Sequence, residues 1–198
     1  MILIDTVCYL EKIFKNKLNF INYGVRGMKT LIIYGSNHGC AKKSAEILEE
    51  KLKGEVDIVD IRKDIKLDLN NYDKVIIGGS IYMGKIQKEI KEICENYCDN
   101  LKEKKLGLYI CCMNEENVET QINENFPERL LESAIAQGYF GGAFNFNDMN
   151  FFERFIIRKI SKSLVNNNEK FKNFDMKKFI DMIERENIEK FAKAMNTI

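Results

Sequence analysis

The residues best suited to chemistry sit in polar loops that follow short apolar runs. Ser36-Asn37-His38-Gly39-Cys40-Ala41 follows Leu31-Ile32-Ile33-Tyr34-Gly35 and leads straight into a segment of helical spacing. A strand that breaks into a glycine turn and then a helix presents free N–H groups and the positive end of a helix dipole to that turn, which is how proteins bind phosphate. Ser36 adds a hydroxyl, and Gly39 lets backbone approach closely. No Gly-Lys-Ser/Thr follows, no Gly-x-Gly-x-x-Gly is present, and no acidic pair ends the run to hold magnesium. A single phosphate held without metal is the expectation. The second loop, Ser80-Ile81-Tyr82-Met83-Gly84 after Gly78-Gly79, joins small residues to one aromatic ring and one thioether. Such a loop suits the face of a flat ring system. A third polar stretch, Met113 to Val118, includes Asn114.

Positioning these loops at one edge requires an alternating chain, and the sequence alternates from Met28 onward. Strands are expected over Thr30–Tyr34, Val56–Ile61, Lys74–Gly79, Leu106–Cys112 and Gly138–Phe144. Ala41, Ala45, Leu48 and Leu52 mark one helical face, and Ile86, Ile90, Ile93, Tyr97 and Leu101 another. A third helix is expected from Pro127, as its first residue, to near Gly138. The unalternated, β-branched strands predict burial on both faces. Right-handed crossovers then imply an α/β fold, a five-stranded parallel sheet with helices on both faces, and the doubly wound order 2-1-3-4-5 is the natural guess for it. Its switch point lies outside the carboxyl ends of the first, third and fourth strands, where the three loops fall.

Composition narrows the function classes. The chain has 198 residues, enough for one well-cored domain, and a formal net charge of +1, which argues against nucleic acid as a partner. Residues 1–27 read as an N-terminal extension. They form either an amphipathic helix on Leu3, Val7, Leu10, Phe14 and Leu18 or a stretch ahead of a true start at Met28; residues 28–198 form the domain proper. The first ten residues lack a basic flank and carry Asp5, so they read as neither signal peptide nor membrane span, and six cysteines then read as reduced thiols in a cytoplasmic protein. Cys94 with Cys98, and Cys111 with Cys112, lack metal-site spacing and are expected to pack in the core. Cys40 is read as a small residue tolerated in a tight loop, or as a thiolate favoured by the helix end. His38, the one histidine, is either an exposed turn residue or, when protonated, a phosphate partner.

Phe151–Val165 sets Phe151, Phe152, Phe155, Ile156, Ile160 and Leu164 against Arg154, Arg158, Lys159 and Lys162. This basic amphipathic pattern closes the sheet or makes a peripheral membrane contact at the inner face of a membrane. After the polar break Asn166–Asn168, the region Asp175–Met195 is expected to supply one or two terminal helices.

The motifs Tyr34-Gly35-Ser36-Asn37-His38-Gly39-Cys40-Ala41, Tyr72-Asp73-Lys74-Val75-Ile76-Ile77-Gly78-Gly79-Ser80-Ile81-Tyr82-Met83-Gly84 and Phe140-Gly141-Gly142-Ala143, with Asn150-Phe151-Phe152-Glu153-Arg154-Phe155, together resemble flavodoxin-domain proteins. The likeness is closest to the flavodoxin-like, menaquinone-dependent protoporphyrinogen oxidases and covers about residues 28–165. The resemblance implies a flavodoxin-like fold and non-covalent FMN, its phosphate on Ser36, Asn37, His38, Gly39, Cys40 and Ala41. It places the isoalloxazine between Ser80, Ile81, Tyr82, Met83 and Gly84 on one side and Met113 and Asn114 on the other. It implies an oxidoreductase acting on protoporphyrinogen or a similar small-molecule substrate, with a quinone or a redox protein as partner; the alternatives are an electron carrier without its own substrate, or a flavin-less binding module. No catalytic acid, base or nucleophile and no metal ligand is expected, because the cofactor carries the redox chemistry. Two departures stand out. The family's loop carries hydroxyl residues where this chain has Gly35 and Ala41, and each lost hydrogen bond to a charged group is worth about 1.5–3 kcal/mol unless Lys42, Lys43 or His38 replaces it. The near-neutral charge also departs from the strongly acidic carriers that the family includes.

Overall fold

The computed structural model describes residues 27–63, 67–113, 115, 117–145 and 179–197. Four expectations fall largely or wholly outside these: the extension 1–27, the amphipathic segment Phe151–Val165, the break Asn166–Asn168, and Asn114. Within them, strands β1 (Lys29–Gly35), β2 (Glu55–Asp60), β3 (Lys74–Ser80), β4 (Lys105–Cys111) and β5 (Ala136–Tyr139) form one parallel sheet in the order β2-β1-β3-β4-β5. The apolar runs explain the sheet. Alternate side chains of a strand face opposite sides, so a run apolar at every position must be covered twice. Leu31, Ile33, Val75, Ile77, Leu106, Leu108 and Ile110 enter one core. Ile32, Tyr34, Ile76, Tyr109 and Cys111 enter the other.

The first core is covered by α2 (Lys88–Asn96), α3 (Cys98–Lys102), α4 (Val118–Asn125) and α5 (Glu128–Ser133). The second is covered by α1 (Cys40–Lys51) and α6 (Arg185–Asn196). Buried Cys40, Ala41, Ala45 and Leu48 form the inward stripe of α1, and Ile188, Phe191, Ala192 and Met195 that of α6. The stripe expected from Ile86 to Leu101 is real but not one helix. At Tyr97 the backbone takes φ −110°, ψ 16°, and α2 gives way to α3, while Ile90, Ile93, Tyr97 and Leu101 still meet the same core. Ile86 precedes α2.

Three boundaries differ from the pattern reading. Pro127 caps α5 rather than opening it, and the helix stops at Ser133 because Ile135 already donates its N–H to Leu106 O at 2.8 Å as the chain joins the sheet. The strand expected over Gly138–Phe144 is two strands. Phe140 N–H still bonds Ile110 O, but Gly141, at φ 75°, turns the chain into β6 (Gly141–Asn145), which pairs antiparallel with β7 (Phe179–Ile183). A Cβ at Gly141 would overlap Met182 O, so only glycine fits the turn. The C-terminal region accordingly holds a strand before its helix: Phe179, Met182 and Ile183 have spacing that suits either, and the ladder to β6 decides it.

Two contacts fix how these layers sit. Tyr109, fully buried, stacks on Phe140 with ring centroids 4.5 Å apart, and Phe191 meets Phe140 edge-on at 5.2 Å. The Tyr109 hydroxyl donates to Ala41 O at 3.1 Å, which ties β4 to the first turn of α1. A Cβ at Gly78 would overlap the Tyr109 ring. The second contact joins the β6–β7 pair to the same turn: Asp181 accepts from Lys43 Nζ at 2.7 Å and from Arg185 Nη2 at 3.0 Å. At the amino-terminal end of the central strand, the buried Lys74 ammonium donates to Met195 O at the end of α6.

Gly78→Ala should destabilise the protein by about 2 kcal/mol or more, through overpacking against a ring that cannot move. Tyr109→Phe should cost about 1 kcal/mol; urea unfolding followed by circular dichroism measures both. Burial pushes the Asp181 carboxyl up, but the hydrogen bonds from Lys43, Arg185 and the Ile183 N–H outweigh it and hold the group at about 2. A depressed carboxyl stabilises above its unfolded value and loses that contribution as pH falls through the folded one, here between about pH 4 and pH 2. Its side chain is 26% exposed, so screening limits the stabilisation to about 1 kcal/mol. Asp181→Asn should therefore lower stability by that amount at pH 7 and by nothing near pH 2, as acid titration of both proteins would show.

Candidate functional site

The register of the sheet brings the first two loops together. Gly35 of β1 pairs with Gly79 of β3, so Ser36 and Ser80 leave adjacent strands side by side at their carboxyl ends. Ser36 is 1% exposed, and its hydroxyl has no hydrogen-bond partner; the Ser80 hydroxyl is likewise buried and unpartnered. Burying a hydroxyl without a partner is costly. Among the described residues these two hydroxyls, side by side at the strand ends, keep hydrogen-bonding capacity that a polar ligand could use.

Above Ser36 the backbone opens to an anion. Gly39 adopts φ 83°, ψ −8° at the N-cap of α1, makes no side-chain cap, and its carbonyl accepts the first helical bond, from Lys43 N–H at 2.9 Å. The N–H groups of Cys40, Ala41 and Lys42 thus precede any intrahelical acceptor. The first turn carries no acidic residue, and a Cβ at Gly39 would meet nothing within 4 Å. Asn37 and Gly39 are exposed and His38 partly so. The side chains of Cys40 and Ala41 turn into the core, so these two expected site residues can offer only their N–H groups. Cys40 and Cys111 are hydrogen-bonded to each other, which draws the Cys40 thiol below its ordinary value, while burial pushes Cys111 well above it. Cys111 Sγ also lies 3.5 Å from Ser44 Oγ, within hydrogen-bond reach. Lys42 pairs with Glu46 at 3.7 Å and Lys43 with Asp181, so both cations already have partners.

The second loop is a tight hairpin. Tyr82 and Lys85 exchange backbone hydrogen bonds of 2.9 and 3.1 Å around Met83 at φ 51° and Gly84 at φ 80°. Two consecutive residues with positive φ are the signature of a mirror-image turn whose twist matches its flanking strands. Met83 at its tip is 74% exposed. The Tyr82 ring lies 6.5 Å from the His38 ring at an interplanar angle of 57°, which links the phosphate-type loop to the ring-type loop. Ile81 N–H bonds Cys111 O at 2.7 Å, anchoring the hairpin's base on β4. Met113 is partly buried, and a Cβ at Gly142 would overlap its sulfur, so the third loop starts against β6.

Two functional residues carry no local sequence signal. Gln87 is buried, accepts the Ser80 N–H at 3.1 Å, and fills the space behind both glycines: a Cβ at Gly35 would sit 3.1 Å, and one at Gly79 2.6 Å, from its Oε1. The missing side chain at Gly35 is therefore room that Ile90, 2.9 Å from such a Cβ, and Gln87 occupy together. Asn125, at the end of α4, holds the hairpin through Gly84 and Ile86. Both sit among other polar residues in the sequence, and their partners are backbone groups.

A model of the flavodoxin domain family matches residues 31–171. The chain is 33% identical over 84 residues to the flavodoxin-like domain-containing protein BilS of Clostridioides difficile (strain CD3), a match covering 41% of this chain and 46% of that protein. The chain thus spans less than half the length of this relative. It is 24% identical over 144 residues to protoporphyrinogen IX dehydrogenase (quinone) of Escherichia coli (strain K12), covering 68% of this chain and 80% of that one. Among solved structures, Streptococcus pneumoniae TIGR4 flavodoxin superposes with a TM-score of 0.49 at 18% identity, covering 85% of this chain and 98% of that one. The family match extends across most of the described sheet and its site loops, and the chain belongs to the flavodoxin domain family.

Proposed function

We propose that this chain binds FMN without a covalent bond and works as a flavin-dependent oxidoreductase, taking electrons from a reduced small molecule of the protoporphyrinogen type and passing them to a quinone or redox protein. The observation that carries the reading is the buried Ser36 hydroxyl, without a partner among the described residues, three positions ahead of the uncapped N-terminus of α1. That donor set fits a phosphate monoester. Ser36 Oγ and the N–H groups of residues 37–42 would hold it, with no side chain at Gly39 in the way. Since Cys40 and Ala41 face inward and Ile90 and Gln87 fill the space at Gly35, backbone rather than hydroxyl side chains must do most of this binding.

The flavin ring would lie against Tyr82, with Ser80 Oγ available to its polar edge and Met83 covering its rim. When bound, FMN supplies the electron-transfer chemistry. The protein's part is to orient the ring between two loops already in contact through His38 and Tyr82, and to leave one edge reachable from solvent past the exposed Met83 tip. The quinone acceptor and the protoporphyrinogen-type substrate are suggested by the Escherichia coli relative. Among the described residues no helix is long and apolar enough to cross a membrane. Contact with a quinone-bearing membrane is proposed as peripheral, on the basic amphipathic sequence pattern of Phe151–Val165. A second reading, an electron carrier without its own substrate, draws on the same exposed tip, because a protein partner could reach the ring edge there.

Protein purified without added flavin should be yellow, and calorimetry should show FMN binding that Ser36→Ala weakens about tenfold to a hundredfold, the loss of one hydrogen bond to a charged group. A colourless protein with no heat of association would leave only the fold. FMN-loaded protein mixed anaerobically with protoporphyrinogen and a quinone should oxidise the substrate in proportion to its flavin. No turnover, combined with rapid reduction by a flavodoxin reductase, would establish the carrier instead.

A further inference from the structure

Asn125 makes more tertiary hydrogen bonds than any pattern in the sequence would suggest. It is the last residue of α4 and 6% exposed. Its Oδ1 accepts the Ile86 N–H at 2.7 Å, and its Nδ2 donates to Gly84 O at 3.1 Å and to Gln121 O at 2.8 Å. The orientation of the amide is forced: exchanging the two ends would set an NH2 against an N–H and an oxygen against two carbonyls. Both ends of the side chain are thus occupied by the backbone that flanks Lys85. The hairpin they hold is a demanding one, since Met83 occupies the left-handed region that a non-glycine residue rarely adopts. Such a conformation persists only where surrounding bonds over-determine it.

We propose that Asn125 is the positioning residue of the ring wall. Its carboxamide pins the backbone of Gly84 and Ile86 to α4, and so sets the aim of Tyr82 and Met83 toward a flat ligand. The inference rests on the reading of the site as an FMN site, and it adds that α4, which lends no residue to the first two loops, controls how firmly the ring is held. Gln87 braces the opposite end of the same segment by taking the Ser80 N–H. The stretch between Ser80 and Gln87 is then suspended from two buried carboxamides, one at each end.

Asn125→Ala tests this, with Leu101→Ala as a control that opens a cavity in the same core without removing a side-chain hydrogen bond to the hairpin. In the apo-protein, amide hydrogen exchange at Lys85 and Ile86 should quicken about tenfold or more in Asn125→Ala relative to Leu101→Ala. FMN affinity should fall about tenfold in Asn125→Ala alone, with a changed midpoint potential of the flavin that remains bound. Asn125→Asp, which keeps the acceptor for Ile86 but loses both donors, should fall between wild type and Asn125→Ala in exchange rate. Equal exchange in Asn125→Ala and Leu101→Ala would overturn the inference, and so would faster exchange with FMN affinity and potential unchanged. Failure of the wild-type protein to bind FMN would overturn the flavin reading itself, while the exchange comparison would still decide whether Asn125 fixes the hairpin.

Discussion

The position of the candidate site depends on a close approach between Tyr109 and Gly78. Because Gly78 has no side chain, the Tyr109 ring can lie flat against β3, stack on Phe140, and deliver its hydroxyl to the carbonyl of Ala41. That hydrogen bond is made by the first turn of α1, whose N-terminal N–H groups face the phosphate-type loop. The core and the site are therefore mechanically one object. A buried aromatic sets the height of a helix end, and the helix end sets where an anion could be held.

Around that anchor the protein builds its polar site mostly from backbone. Hydroxyl side chains are scarce: Ser36 and Ser80 remain, while the positions of Gly35 and Ala41 are given over to packing by Ile90 and Gln87 and by the α1 stripe. Backbone donors suit a phosphate because their direction is set by the helix and costs no side-chain entropy to hold. The nearby cations are not loose. Lys43 is committed to Asp181, and this pair fastens the β6–β7 ribbon to the same helix turn. The exposed hydrophobic contribution of the site is concentrated at Met83, at the tip of a hairpin whose twist is fixed by two positive φ angles.

Much of the architecture was legible because its signals are local. Unbroken β-branched runs identify strands buried on both faces, and their alternation with helical stripes leaves few topologies. The order 2-1-3-4-5 is the natural guess among them and puts the first two loops at one switch point, and the structure has both. The boundaries that differ involve competition between distant segments. Gly138–Phe144 looks like one strand until Gly141 turns and β7 arrives to pair with β6. Phe179–Ile183 looks helical until that same pairing takes it.

What the sequence determined by itself is the set of apolar periodicities and the placement of glycine turns after strands, because both depend on a residue and its near neighbours. Tertiary structure alone decided which side chains stand behind the loops. Gln87 and Asn125 are ordinary polar residues in the chain, and their roles exist only because folding sets their carboxamides against backbone groups of Ser80, Gly84 and Ile86. The same holds for Cys40 and Ala41, which a linear motif assigns to the ligand and which the turn of α1 faces into the core. A hydrogen bond between residues dozens of positions apart leaves no periodic trace, so its partners become visible only when the folded backbone brings donor and acceptor within reach.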